Sequence, residues 1–150
     1  MAKRSNKQSY KPRNYESLGG KDIFVGMYGS MLMSPAFLDL SPSQKVLLLY
    51  MRFQVYESTR VHERTPQVKY KETALFQDNK YFHFSQYYWK DKYKLYGSNT
   101  TFYKDKKALI AHGFIVEIAN GKTQYTQTVY TFSEEWKSWT KEDKDSDKKL

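Results

Sequence analysis

Residues 98–132, SNTTFYKDKKALIAHGFIVEIANGKTQYTQTVYTF, decide the fold. Ser98 or Asn99 can offer a side-chain oxygen to the unpaired N–H groups that open a helix. Behind that cap, Phe102, Lys106, Leu109, Ile110 and Gly113 recur on one helical face. The helix is expected to run to His112, with Gly113 as the left-handed residue that ends it. After the glycine the period changes from helical to extended. Residues 114–119 read as a strand, Asn120-Gly121 as a tight turn, and 123–132 as the returning strand, rich in Thr, Tyr and Val.

Upstream, QYYWKDKY at 86–93 reads as a short aromatic helix capped by Ser85, and Tyr96-Gly97 as a turn. Residues 85–132 therefore spell helix, turn, helix, hairpin, the order of a helix-turn-helix with a wing behind it. The apolar residues among Tyr81, Phe82, His83 and Phe84 suggest a strand before it. Ser34-Pro35 and Ser41-Pro42 are two helix starts, since serine caps and proline at the first position forfeits no hydrogen bond. Gln44 stands three residues after Ser41, the capping-box spacing. The second start leads into KVLLLYMRFQVYE, predicted as a helix over 42–57 with Val46, Leu49, Tyr50, Phe53 and Tyr56 at helical spacing.

Residues 23–28, IFVGMY, are expected to form a short strand, and 58–80 an extended loop. Ser133 is expected to cap a last helix in SEEWKSW, where Glu134 and Glu135 suit the N-terminus and Trp136 and Trp139 would dock on the core. Residues 1–22 read as a flexible basic arm and 141–150, KEDKDSDKKL, as a disordered charged tail, leaving one domain over 23–140. The fold class is α+β.

The formal charge is +9 over 150 residues, and it is clustered. Residues 1–22 carry six Lys or Arg against two acids, a net +4, and residues 85–113 carry six Lys against two acids, again +4. Such clusters attract polyanions, although lysines that only solubilise the fold would give the same composition. There is no cysteine, so disulfides and thiolate metal sites are excluded. No apolar run approaches the roughly 20 residues that span a bilayer. The N-terminus MAKRSNKQSY lacks the apolar stretch of a signal peptide, so a cytoplasmic location without membrane attachment is expected.

Nothing points to catalysis. His62, His83 and His112 are scattered and belong to no metal-ligand motif, and there is no Gly-rich phosphate loop, GxSxG or cysteine nucleophile. No metal, cofactor or enzymatic activity is expected. His112 is explained by its place at a helix C-terminus.

The segments SNTTFYKDKKALIAHGFIVEI, the hairpin, YTFSEEW and, earlier, MLMSPAFLDLSPSQKVLLLYM resemble the winged helix-turn-helix proteins of plasmids and mobile elements, of replication-initiator and conjugation-accessory type. The resemblance covers residues 30–139. It implies sequence-specific binding of double-stranded DNA in replication or transfer, together with other proteins of that machinery. The alternatives are a transcriptional repressor, a protein–protein adaptor built on the same fold, or a binder of RNA or single strands.

Helical geometry assigns the surfaces independently. Thr100, Tyr103, Lys104, Lys107 and Ala111 form the stripe opposite the apolar face, and Ser98, Asn99 and Thr101 lie where recognition helices meet base edges. The alternative is that Ser98 and Asn99 serve as caps alone. Lys122, Thr123, Gln124 and Tyr125 would form the wing contact. Lys90, Lys92 and Lys94 on the preceding helix, with Lys3, Arg4, Lys7, Lys11 and Arg13 in the arm, would meet phosphates.

Overall fold

Local capping chemistry sets the first helices. The computed structural model describes residues 12–20, 22–61, 81–119 and 128–141. After a single turn, α1 (Gly29–Leu32), helix α2 spans Pro35–Asp39. The Ser34 hydroxyl accepts the Phe37 N–H at 3.2 Å, and Pro35 occupies the first helical position. Helix α3 (Pro42–Val61) starts with a reciprocal box. Gln44 Oε1 accepts the Ser41 N–H at 2.9 Å, and the Ser41 hydroxyl accepts the Gln44 N–H at 3.4 Å. The helix runs four residues past the expected end at 57.

The buried face of α3 differs from the expected one. Leu47, Leu48, Met51 and Gln54 are buried, whereas Val46, Leu49 and Tyr56 are 41%, 38% and 39% exposed. Apolar residues occupy nearly the whole circumference of this helix, so spacing alone allowed two faces.

Strand β1 is Tyr81–Phe82, and helix α4 is Asn99–Ala111. Strands β2 (Ile115–Ala119) and β3 (Val129–Phe132) pair antiparallel, with Ile115 opposite Phe132 and Val116 opposite Thr131. The register shifts between Glu117 and Ala119. β1 adds to the other edge of β3, with Phe82 opposite Tyr130, giving the order β1-β3-β2. The described chain is thus α+β, with helices packed on a small antiparallel sheet. The strand expected at 23–28 is absent. That segment pairs with no strand of the sheet, and Arg52 of α3 donates from Nη2 to the Gly26 carbonyl at 3.0 Å.

Between β1 and α4, the short aromatic helix expected over 86–93 is present as a π-helix over Tyr87–Lys92. Its mark is the bond from the Tyr93 N–H to the Tyr88 carbonyl at 2.8 Å. Ser85 contributes its carbonyl, which accepts from the Tyr88 N–H at 2.9 Å; no side-chain cap forms at Gln86, where the helix begins. The wider winding carries Trp89 inward, where it is buried and stacks on Phe102 at 4.9 Å with ring planes 11° apart. Phe84, Tyr96 and Phe102 complete this aromatic layer of the core.

The C-terminal element is shorter than expected, a 3₁₀ turn at Glu135–Lys137. Ser133 does serve it, its hydroxyl accepting the Glu135 N–H at 3.2 Å. The Lys137 ammonium, donating to the Glu134 carboxylate at 2.8 Å, holds that exposed group below the usual carboxylate range. Trp136 stacks on Phe114 and Trp139 on the His112 ring, both partly buried against the core. No helix among the described residues is long and apolar enough to cross a membrane.

Candidate nucleic-acid interface

Helix α4 is fixed at both ends by the residues that announced it. The Ser98 hydroxyl lies 3.5 Å from the Thr101 N–H as cap acceptor, and its oxygen is 3.0 Å from the Thr101 hydroxyl. At the other end Gly113 has φ +84°, and its N–H donates to the Ile110 carbonyl at 3.1 Å. His112 is buried, with Nδ1 2.6 Å from the Ala108 carbonyl and Nε2 2.8 Å from Asp39 Oδ2. It therefore ties the end of α4 to α2, a larger role than the terminal charge expected from sequence.

The roll of α4 about its axis determines which residues face outward, and a buried polar network sets that roll. Asp105, 4% exposed, accepts from the Tyr96 hydroxyl at 2.7 Å and from Gln44 Nε2 at 3.3 Å. Gln44 uses its other amide atom in the α3 capping box, so one side chain links the start of α3 to the buried side of α4. A buried carboxylate without such donors would be costly, so the network resists rotation of the helix. Burial, together with the bond donated to Asp105, pushes the Tyr96 phenol well above its ordinary pKa.

With that roll, Phe102, Asp105, Lys106 and Leu109 are buried. Asn99, Thr100, Thr101, Tyr103, Lys104, Lys107 and Ala111 are exposed, as is the capping residue Ser98. The stripe expected on the outer side thus coincides with the exposed side. Ser98 and Thr101 are engaged in capping; Thr100, Tyr103, Lys104 and Lys107 carry the free polar surface of the helix.

Lys106 is the residue that sequence reasoning put on the inner face without giving it a role. It is 7% exposed, with Nζ 4.5 Å from the Tyr103 ring centroid, 5.6 Å from that of Tyr130 and 3.8 Å from Glu117 Oε2. It props the Tyr103 ring from beneath and connects it to β2 and β3. Burial, with the Glu117 charge second, raises the Tyr130 phenol. A lysine at an inward position opposite a strand glutamate is the signal that could have found this clamp.

The preceding segment divides its lysines. Lys90, Lys92 and Lys94 are all exposed. Lys92, expected to meet phosphate, pairs with Glu57 of α3, and its ammonium lies over the rings of Tyr88 and Tyr93. The Tyr93 hydroxyl donates to the same carboxylate at 3.2 Å, and burial, with the Glu57 charge next, raises that phenol. Lys94 has φ +54°, a left-handed conformation that costs a non-glycine residue about 1 kcal/mol or more. It allows the Leu95 N–H to return to the Trp89 carbonyl at 2.8 Å, which closes the turn before α4.

Arg13 is exposed, and its N–H donates to Glu16 Oε1 at 3.0 Å in a local turn. The arm residues Lys3, Arg4, Lys7 and Lys11, and Lys122, Thr123, Gln124 and Tyr125 between β2 and β3, lie outside the described residues, as do most of the 58–80 loop and the tail beyond Lys141. Among the described residues no group of three or more His, Asp or Glu is arranged to hold a metal ion. No family model, curated protein or solved structure matches the chain.

Proposed function

We propose that the chain binds duplex DNA, with α4 as the recognition helix of a winged helix-turn-helix. The observation that carries this reading is the exposed stripe of Thr100, Tyr103, Lys104 and Lys107 on a helix whose opposite side is locked into the core. A hydroxyl, a phenol and two ammonium groups on one helix face suit base edges and phosphates. The connectivity supports it. A helix, β1, the π-helix, α4 and the β2–β3 pair follow in the order of a helix-turn-helix with a trailing hairpin, and β3 sits between β1 and β2. Lys90, Lys94, Lys104 and Lys107 then form the phosphate-facing set, and Lys92 leaves it because Glu57 neutralises it. A role in the replication or transfer of a mobile element, with repression as the alternative, rests on the resemblance of the sequence segments alone.

The test is a selection of bound duplex fragments from random DNA, followed by competition between the preferred and a scrambled site. Tyr103→Ala is expected to reduce discrimination between the two by about five-fold or more, since a lost base contact is worth about 1–3 kcal/mol. Unchanged discrimination in a folded Tyr103→Ala variant would remove α4 as the reader of sequence. No duplex binding even at low salt would favour the adaptor reading.

A further inference from the structure

The segment 23–28 and α3 border an open cavity of about 410 Å³, lined by Phe24, Gly26, Met27, Tyr28, Arg52 and Tyr56. Its volume falls in the range of small-molecule sites, about 300–1,000 Å³. The polar group in its wall is unusual. Arg52 is half-buried, yet among the described residues no carboxylate stands within ion-pair reach of it. Its Nη2 donates to the Gly26 carbonyl at 3.0 Å and the Tyr56 hydroxyl at 3.2 Å, while its Nε is buried without a hydrogen-bond partner. The guanidinium lies 5.8 Å from the ring centroids of both Tyr56 and Phe132. Tyr28, at the rim, is 84% exposed.

A half-buried cation with no carboxylate beside it among the described residues is stabilised by an anion. The aromatic wall adds a second requirement, a planar apolar surface to cover Tyr28 and Tyr56. A nucleotide unit meets both, its base stacking on aromatic side chains and its phosphate meeting an arginine. We propose that this cavity binds one nucleotide unit, as a free nucleotide or as an unpaired nucleotide of a strand, with the phosphate on Arg52 and the base against Tyr28 and Tyr56. The site shares no residue with the outer stripe of α4 and does not depend on duplex recognition there.

The experiment titrates the full chain, by calorimetry and by NMR shift mapping, with dTMP, with the oligonucleotide (dT)₈, and with thymidine and inorganic phosphate separately. dTMP or (dT)₈ is expected to bind at least ten-fold more tightly than thymidine or phosphate, with shifts centred on Tyr28 and Tyr56. Binding of dTMP assigns the source as free nucleotide, and binding of (dT)₈ alone as a single strand. Tyr28→Ala and Arg52→Gln are each expected to weaken that binding at least five-fold and to leave duplex affinity unchanged. Arg52 also holds the 23–28 segment, so circular dichroism checks the folding of its variant, while Tyr28→Ala removes only an exposed ring. Phosphate binding as tightly as dTMP, binding indifferent to Tyr28→Ala, or no binding of any of the four would each overturn the proposal. None of these results bears on α4.

Discussion

Gly113→Ala is expected to destabilise the domain by about 2–5 kcal/mol. About 1–2 kcal/mol comes from forcing a β-carbon onto left-handed backbone, and about 1–3 from overpacking. The overpacking is specific, because a β-carbon built on Gly113 would lie 2.5 Å from the Trp136 nitrogen and 2.6 Å from the Glu135 carbonyl carbon. These are backbone atoms and cannot rotate aside. The Gly113 carbonyl also accepts the Trp136 N–H at 3.0 Å, so displacement of the 3₁₀ turn would break that bond and lift Trp136 from Phe114. Gly97→Ala is the matched control. Nothing lies within 4 Å of its added carbon and its φ is not left-handed, so the change should be near neutral. Urea unfolding of both variants measures the difference. Equal stabilities would mean that the end of α4 does not sit against the C-terminal turn.

Phe102→Ala is expected to cost about 3–5 kcal/mol, the range for removing a buried aromatic ring. Phe102 is 3% exposed and sits among Trp89 at 4.9 Å, Tyr96 at 5.9 Å and Phe84 at 6.3 Å between ring centroids. Those neighbours come from separate pieces of chain, the π-helix, the turn and the segment after β1, so a hole here loosens the joint that positions α4. A domain of this size is typically stable by about 5–15 kcal/mol, so the loss would consume a large share. The midpoint of urea unfolding should fall with little change in slope. A cost below about 1 kcal/mol would show that the ring does not fill the core.

What the sequence revealed and what it hid follow from how far each interaction reaches along the chain. Ser41 with Gln44, Ser98 with Thr101 and Gly113 act over three residues or fewer, so the starts of α3 and α4 and the end of α4 were readable directly. The outer stripe of α4 was readable because Phe102, Leu109 and Ile110 mark the opposite side of that helix. On α3, with Val46, Leu47, Leu48 and Leu49 in succession, pattern gave no unique face, and packing against α4 chose it. IFVGMY has strand-like residues, but its backbone is held by Arg52 of α3, which donates to the Gly26 carbonyl, and pairs with no sheet edge. The π-helix differs from an α-helix by one residue in the span of each hydrogen bond, a distinction that apolar spacing over six residues cannot make. The pairing of Lys92 with Glu57 spans 35 residues of sequence, as the bond of Gln44 to Asp105 spans 61, and neither leaves a local trace.

The loss of Lys92 to Glu57 also changes the electrostatics of the proposed interface. A variant that restores a free cation, Glu57→Gln, would release Lys92 toward solvent, but it would also leave the Tyr93 hydroxyl without its carboxylate acceptor. The lysines of α4 are the cleaner probe, since Lys104 and Lys107 are exposed and their removal leaves the core intact. The central claim is that this exposed stripe meets the phosphates and bases of duplex DNA.

The most direct measurement is duplex affinity as a function of salt, for the wild-type chain and for Lys104→Ala with Lys107→Ala. Each phosphate contact contributes about 0.9 to the slope of log affinity against log salt. With roughly 6–10 such contacts, the wild type should lose about a thousand-fold or more between 50 and 200 mM salt. The double variant, folded by circular dichroism, should bind more weakly at low salt, with a slope shallower by nearly two. Duplex binding with an unchanged slope would contradict the account by placing the contact surface elsewhere, and undetectable binding of the wild type at low salt would contradict it outright.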